Sequence, residues 1–169
     1  TYRKFEAFQE HEAFIGRIVF PIRDISGRIV AFNARHMTGG TPKYLISPPG
    51  ARMPLFPAKI DPIQASVILV EGIYDMINLH DKGLTNAVCC FGTRNINEEK
   101  LSILRLQGIE EAIVFFDGDE AGQTAAAKVQ EMCENVDLLT RNINVVDIDP
   151  GALTENQVEK LKDKLYKGV

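Results

Sequence analysis

Four short apolar runs, residues 67–70, 87–91, 112–116 and 143–146, alternate with four stretches of helical periodicity at 74–82, 97–107, 121–135 and 154–167. Runs of four or five apolar residues suit strands buried on both faces, because a strand with one wet face alternates instead. Gly83 and Gly108 stop the first two helical stretches, and Thr154 stands as an N-cap for the last. Strand–helix alternation repeated four times predicts an α/β fold, a doubly wound parallel four-stranded sheet with right-handed crossovers.

The chain ahead of this alternation reads differently. Residues 5–14 place Phe5, Phe8 and Ala13 at helical spacing, predicting a short amphipathic helix. Apolar runs at 18–22 and 29–32 flank a turn ending in Gly27-Arg28, the pattern of a β-hairpin. Residues 36–66 are rich in proline, carry a Gly-Gly pair and show no periodicity, so they read as a long irregular connection. The expected organisation is a small N-terminal α+β subdomain over residues 1–62 and an α/β domain over 63–169.

Net charge is −4 over 169 residues, which alone argues against a nucleic-acid partner. Its distribution argues the other way. Residues 1–59 hold 9 Lys/Arg against 4 Asp/Glu, or +5, and residues 60–169 hold 10 against 19, or −9. A basic front on an acidic body suits a protein that grips an anion with one part and cations with another, although chance asymmetry gives the same count. No apolar run approaches the ~20 residues that cross a bilayer, so no membrane partner is expected. The chain opens at Thr1 with neither an initiator Met nor a signal-peptide core, so it is expected to be part of a longer protein. Cys89, Cys90 and Cys133 make no disulfide framework and no zinc spacing, which points to a reducing compartment.

In open α/β sheets, ligands bind beyond the carboxyl ends of the strands, so the residues after each run carry the chemistry. They are Glu71-Gly72 with Asp75 a turn later, Gly92-Thr93-Arg94, Asp117-Gly118-Asp119-Glu120, and Asp147-Ile148-Asp149-Pro150. Three of the four tips are acidic. Carboxylates so clustered raise one another's pKa unless a cation neutralises them, and Mg²⁺ is suited to a few carboxylates plus water and substrate phosphate. Asp117 and Asp119, two apart in extended chain, point to one face and can hold a cation together with Glu71. The pair also fits a helix cap, Asp75 fits helix-dipole compensation, and Asp149 fits a plain Asp-Pro turn. Phosphate-binding and dinucleotide glycine motifs are absent, as is a serine nucleophile elbow. A haloacid-dehalogenase-type phosphotransferase is disfavoured because Ala121 stands where its nucleophile motif carries Thr or Val.

Residues 70–75 (VEGIYD), 91–93 (FGT) and 116–122 (FDGDEAG) resemble the Toprim domain shared by DnaG-type primases, topoisomerases, RecR proteins and some nucleases. Residues 16–24, 27–35 and 42–48 are similar to the small basic subdomain that precedes Toprim in bacterial and phage DnaG-type primases. The sequence departs from that pattern at Ile46, where the family usually carries Asn, and in the short segment 49–64. The resemblance implies a nucleotidyltransferase that makes short RNA primers from NTPs on single-stranded DNA. It implies Glu71, Asp117 and Asp119 as catalytic carboxylates, and Mg²⁺ or Mn²⁺ held by Glu71, Asp117, Asp119 and Asp149. Arg35, Lys43 and Tyr44 are implied on the face that meets template and nucleotide phosphates, where a solvated hairpin edge is the competing reading. A replicative helicase partner and a cytoplasmic site of action are implied too. A Toprim-type nuclease, or a non-catalytic Toprim module binding DNA or a partner, are the alternatives.

Overall fold

A computed structural model of the chain describes residues 12–143 and 149–166. The chain divides into two compact units, Thr1–Pro54 and Leu55–Val169. The division therefore falls earlier than residue 62. Leu55 is buried in the core of the second unit, and the backbones of Phe56 and Cys89 exchange hydrogen bonds of 3.0 and 2.7 Å.

In the first unit, strands β1 (Arg17–Arg23), β2 (Ile29–His36) and β3 (Tyr44–Ser47) form an antiparallel sheet in the order β1-β2-β3. The hairpin turn is closed by one side chain. Asp24 accepts from the Ser26 hydroxyl at 2.6 Å, from the Ser26 and Arg28 amides, and from the Arg28 guanidinium. These donors, led by Ser26, hold its carboxyl down at about 2. Ile22, Ala31 and Ala34 are buried. Two expectations need revision here. The connection expected to be irregular contains β3, whose four residues pair with β2 from Phe32↔Ser47 to Arg35↔Tyr44. The sequence hides it because four residues are too few to establish a period. Of the helix expected at 5–14, residues 5–11 lie outside the described residues, and Glu12–Phe14 form a single 3-10 turn.

The second unit holds strands β4 (Ser66–Val70), β5 (Ala87–Cys89), β6 (Glu111–Val114) and β7 (Leu139–Asn142) in the order β5-β4-β6-β7, every pairing parallel. Helices α1 (Ile73–Asp81), α2 (Glu98–Leu106), α3 (Glu120–Glu134) and α4 (Glu155–Tyr166) alternate with them. Side chains two apart share a face, so Val67, Leu69, Ala112 and Val114 pack with Leu101 and Leu104 of α2 and with Val129 and Cys133 of α3. The intervening Ile68, Val70, Ile113 and Phe115 are buried on the other face, where α1 packs against β4 and β5. At the amino-terminal end of the sheet, Asn86 donates to the Ser66 carbonyl and to the Tyr166 hydroxyl, fastening the end of α4. The doubly wound sheet is as the alternation predicts.

The fourth strand lies elsewhere than predicted. It begins at Leu139, and residues 144–146 of the expected run fall outside the described residues. β7 is an edge strand, so Leu139 stands 70% exposed and Arg141 pairs with Glu111 of β6 at 2.7 Å. A polar edge strand has no continuous apolar run to betray it.

Candidate functional site

The strand order fixes where a ligand can sit. β4 runs on to α1 and the edge strand β5, whereas β6 leads the other way to α3 and β7. The crevice between outgoing connections thus opens beyond the tips of β4 and β6. Glu71 follows β4 and Asp117 closely follows β6, so the fold brings both to that crevice.

Around them the backbone is drawn tight. The amide of Gly92, at φ +90°, donates to the Glu71 carbonyl at 3.0 Å, which holds the β5 tip against the β4 tip. Gly122 lies in the first turn of α3, where a Cβ would stand 2.2 Å from the Asp117 carbonyl oxygen. Only glycine allows the helix to approach so closely. Asp119 is the N-cap of α3, its Oδ1 accepting from the Gly122 amide at 2.7 Å, so the cap reading of this residue is realised. Its Oδ2 has no hydrogen-bond partner among the described residues. Asp75 Oδ2 accepts from the Gly72 amide at 2.7 Å in the first turn of α1.

The last acidic tip is brought in by α1. Asn78 donates to the carbonyls of Pro150 and Leu153, seating the turn Pro150–Ala152 against the helix. Asp149 caps that turn through the Gly151 amide at 2.7 Å. Asp75 Oδ1 and Asp149 Oδ1 lie 2.6 and 3.1 Å from where a Cβ on Gly151 would stand. Asp147 lies outside the described residues.

Electrostatics unites these groups. The Glu71 carboxyl is raised by partial burial, then by the charges of Asp117, Asp119 and Asp75, against an opposing hydrogen bond from the Asp117 amide. The Asp117 carboxyl is raised by desolvation and by Asp149 and Asp119. Five carboxylates thus share one field. Among the described residues, no three His, Cys, Asp or Glu side chains form a ready metal cage. The donors are all hard oxygens, the ligand chemistry that suits Mg²⁺ or Mn²⁺. Cys89 and Cys90 do not contribute: burial pushes Cys89 up to about 12 and Cys90 well above its usual value.

On the first unit, paired strands set Arg35 opposite Tyr44. Arg35 donates to the Tyr44 hydroxyl at 3.0 Å, and its guanidinium and the Lys43 ammonium lie 5.5 and 5.9 Å from the ring centre. Lys43 and Tyr44 are exposed and Arg35 is half-buried, so two cations share one aromatic anchor at the surface. Sequence reasoning quotes Gly122 within the 116–122 motif and misses Gly151, and the steric need for each appears only when helix and turn are packed.

Comparison with known proteins gives the same division. Residues 65–143 match the Toprim domain, and residues 2–56 match the DNA primase catalytic core, N-terminal domain. The chain is 35% identical over 137 residues to a DNA primase of Pseudomonas putida, a match covering 75% of this chain and 20% of that protein. A solved DnaG primase catalytic domain bound to ssDNA superposes with a TM-score of 0.74 at 28% identity, over 90% of this chain and 51% of that one. The Aquifex aeolicus primase, zinc-binding and RNA polymerase domains, shares the fold with a TM-score of 0.79 at 24% identity, over 93% of this chain and 41% of that one. The chain spans about a fifth to a quarter of the length of the curated relatives it matches.

Proposed function

We propose that this chain, whose residues 2–56 and 65–143 match the DNA primase catalytic core, N-terminal domain, and the Toprim domain, joins NTPs into short RNA primers on a single-stranded DNA template. The observation that carries this reading is the group of acidic tips at the switch point of the sheet, where Glu71 and Asp117 are raised by partial burial and then by their acidic neighbours. Such a cluster is held at a stability cost that a purely binding scaffold has no use for.

Glu71, Asp117, Asp119 and Asp149 would hold Mg²⁺ or Mn²⁺, which when bound offsets charge on the triphosphate and lowers the pKa of a 3′-hydroxyl. Glu71, Asp117 and Asp119 are the catalytic carboxylates. Glu71, at the tip of β4 beside Asp117, is the carboxylate suited to general acid–base work on the attacking hydroxyl. The Asp117 amide fixes the orientation of that carboxylate. Asp119 serves twice, capping α3 with Oδ1 while Oδ2 remains for ligation. Arg35, Lys43 and Tyr44 engage template or nucleotide phosphates, Arg35 as a fork and Lys43 as a point charge. Residues 1–54 act as the basic module and 55–169 as the catalytic one. A replicative helicase partner and action in the cytoplasm follow from the same reading.

The test is primer synthesis from labelled NTPs on a mixed single-stranded DNA template, with Mg²⁺ or Mn²⁺, beside D117N/D119N. Oligoribonucleotides that need the metal and vanish in the variant are the expected outcome. Degradation of the template that needs the same carboxylates would make this chain a nuclease instead.

A further inference from the structure

Glu71 directly follows β4, and Asp119 is fastened to α3 as its cap, so each takes its position from the element that carries it. Asp149 is placed differently. β7 ends at Asn142, well short of it in sequence, and α4 begins only at Glu155. Asp149 opens the short turn Pro150–Ala152, which closes on itself. The Gly151 amide donates to the Asp149 Oδ1 at 2.7 Å, and the Ala152 amide donates to its carbonyl at 3.0 Å. Whatever fixes that turn in space therefore fixes Asp149.

The fixing contact comes from the side of α1. Asn78 donates from Nδ2 to the Pro150 carbonyl at 2.9 Å and to the Leu153 carbonyl at 3.1 Å. The two acceptors bracket the turn, and both protons of the amide are used. At the other end of the side chain, Asn78 Oδ1 accepts from the Lys82 ammonium, one helical turn further on. An amide with two carbonyls at one end and a cation at the other has a single favourable orientation, since a flip would set oxygen against oxygen and NH₂ against ammonium. Lys82 is largely buried, with 18% of its side chain exposed, so that cation is held in place. Gly151 completes the seat. A Cβ there would stand 3.7 Å from the Asp75 Cα and 2.6 Å from its Oδ1, so the turn lies directly on the first turn of α1.

For α1 taken alone, asparagine is a poor choice at this position. It sits in the interior of a nine-residue helix, where leucine or alanine is the better helix former. The side chain is spent on the turn rather than on its own helix.

We propose that Asn78 is a positioning residue for cation binding: oriented by Lys82, its amide holds the 150–152 turn against α1 and thereby sets where the Asp149 carboxylate stands in the acidic group. Asn78 acts only through Asp149 and touches neither cation nor substrate. The inference rests on the reading of Glu71, Asp117, Asp119 and Asp149 as holders of Mg²⁺ or Mn²⁺, and extends it to the residue that keeps one of them in reach. Partners that orient a ligand from behind typically change metal affinity by about 10–100-fold.

The test is Mn²⁺ binding by the whole chain, followed by electron paramagnetic resonance without nucleotide or DNA, in wild type, N78L, N78A, D149N and N78L/D149N. N78L keeps the side-chain volume and N78A removes it, so one reads out if the other does not fold. I109V, a methylene cavity at the buried amino-terminal end of β6, controls for a general loss of stability. Expected is an Mn²⁺ Kd weakened about tenfold in N78L and N78A, with I109V near wild type. D149N should weaken binding too, and N78L/D149N should be no weaker than D149N, because Asn78 then has no ligand left to position. In primer synthesis the KM for metal should rise in N78L while kcat at saturating Mn²⁺ stays within about twofold of wild type.

Wild-type Mn²⁺ affinity in N78L and N78A would overturn the proposal, as would losses that multiply in N78L/D149N or a matching loss in I109V. Failure of both N78L and N78A to fold would make Asn78 a structural residue and overturn it as well. A wild-type chain that binds no Mn²⁺ would remove the cation site and the proposal together. One that binds Mn²⁺ but makes no primers would sink the primer-synthesis reading and leave the positioning of Asp149 to be decided by the binding series alone.

Discussion

The two units place their functional side chains by opposite means. In the antiparallel unit, Arg35, Lys43 and Tyr44 lie at the surface of a hairpin sheet and satisfy one another through a hydroxyl and an aromatic face. In the parallel unit, the carboxylates of Glu71 and Asp117 are partly desolvated and pressed by like charge. The first arrangement asks little of the fold. The second needs glycine at 122, caps at three turn or helix starts, and a sheet buried on both faces. The contrast teaches that substitutions at the acidic tips should remove activity, with stability following whatever cap, close approach or charge repulsion each side chain carries, whereas those on the basic hairpin should weaken binding and leave the fold alone.

The largest effect is expected at the carboxylates. D119N keeps a cap-competent side chain on α3, so it should abolish primer synthesis, by about 10²-fold or more, with the melting temperature nearly unchanged. D119A should lose activity equally and also about 1 kcal/mol of stability, read in a denaturant titration. Equal stability of the two variants would break the claim that Asp119 serves as both cap and ligand.

Next comes Gly122. G122A drives a methyl group toward the Asp117 carbonyl, so α3 must shift, at about 1–3 kcal/mol, and carry Asp119 with it. Primer synthesis should fall well below what the lost stability explains. An active, fully stable G122A would show that the close approach is dispensable.

On the basic unit, R35A should weaken oligonucleotide binding several-fold and make its salt dependence shallower by about one phosphate contact. Its melting curve should match wild type. If R35A instead unfolds the protein, the hairpin cations are structural and the contrast fails.

The smallest effect is one of sign. The folded chain binds a proton at Glu71 more tightly than the unfolded chain, whose ordinary value is 4.5. Stability is therefore lost as pH rises from below 4.5 through the raised value, and at neutral pH the unprotonated group is a net burden. E71Q should melt higher than wild type at pH 7 in a chelator, with the gain shrinking at pH 4 and in Mg²⁺. A lower melting point for E71Q at pH 7 would reverse the account of that carboxyl.

How far the sequence reveals all this depends on how much of each feature is local. β4, β5 and β6 are legible because burial on both faces demands unbroken apolar runs, as in residues 67–70. β7 is misplaced because an edge strand such as Leu139–Asn142 is polar and half-exposed. Glu71, Asp117 and Asp119 are legible because strand tips collect ligands in this topology. Their convergence is not, since it depends on the order β5-β4-β6-β7, which no local pattern states. Asp75 and Asp149 show the same limit. Each explains itself locally as a cap, and their shared neighbourhood at Gly151 arises only when Asn78 draws the 150–152 turn onto α1.

The central claim is that the acidic tips are one cation site. Its most direct test is Mn²⁺ binding followed by electron paramagnetic resonance, comparing wild type with D117N/D119N in the absence of nucleotide and DNA. The account predicts saturable Mn²⁺ binding by wild type, competed by Mg²⁺ and lost in the variant while its fold persists. Equal Mn²⁺ binding by both proteins would contradict it.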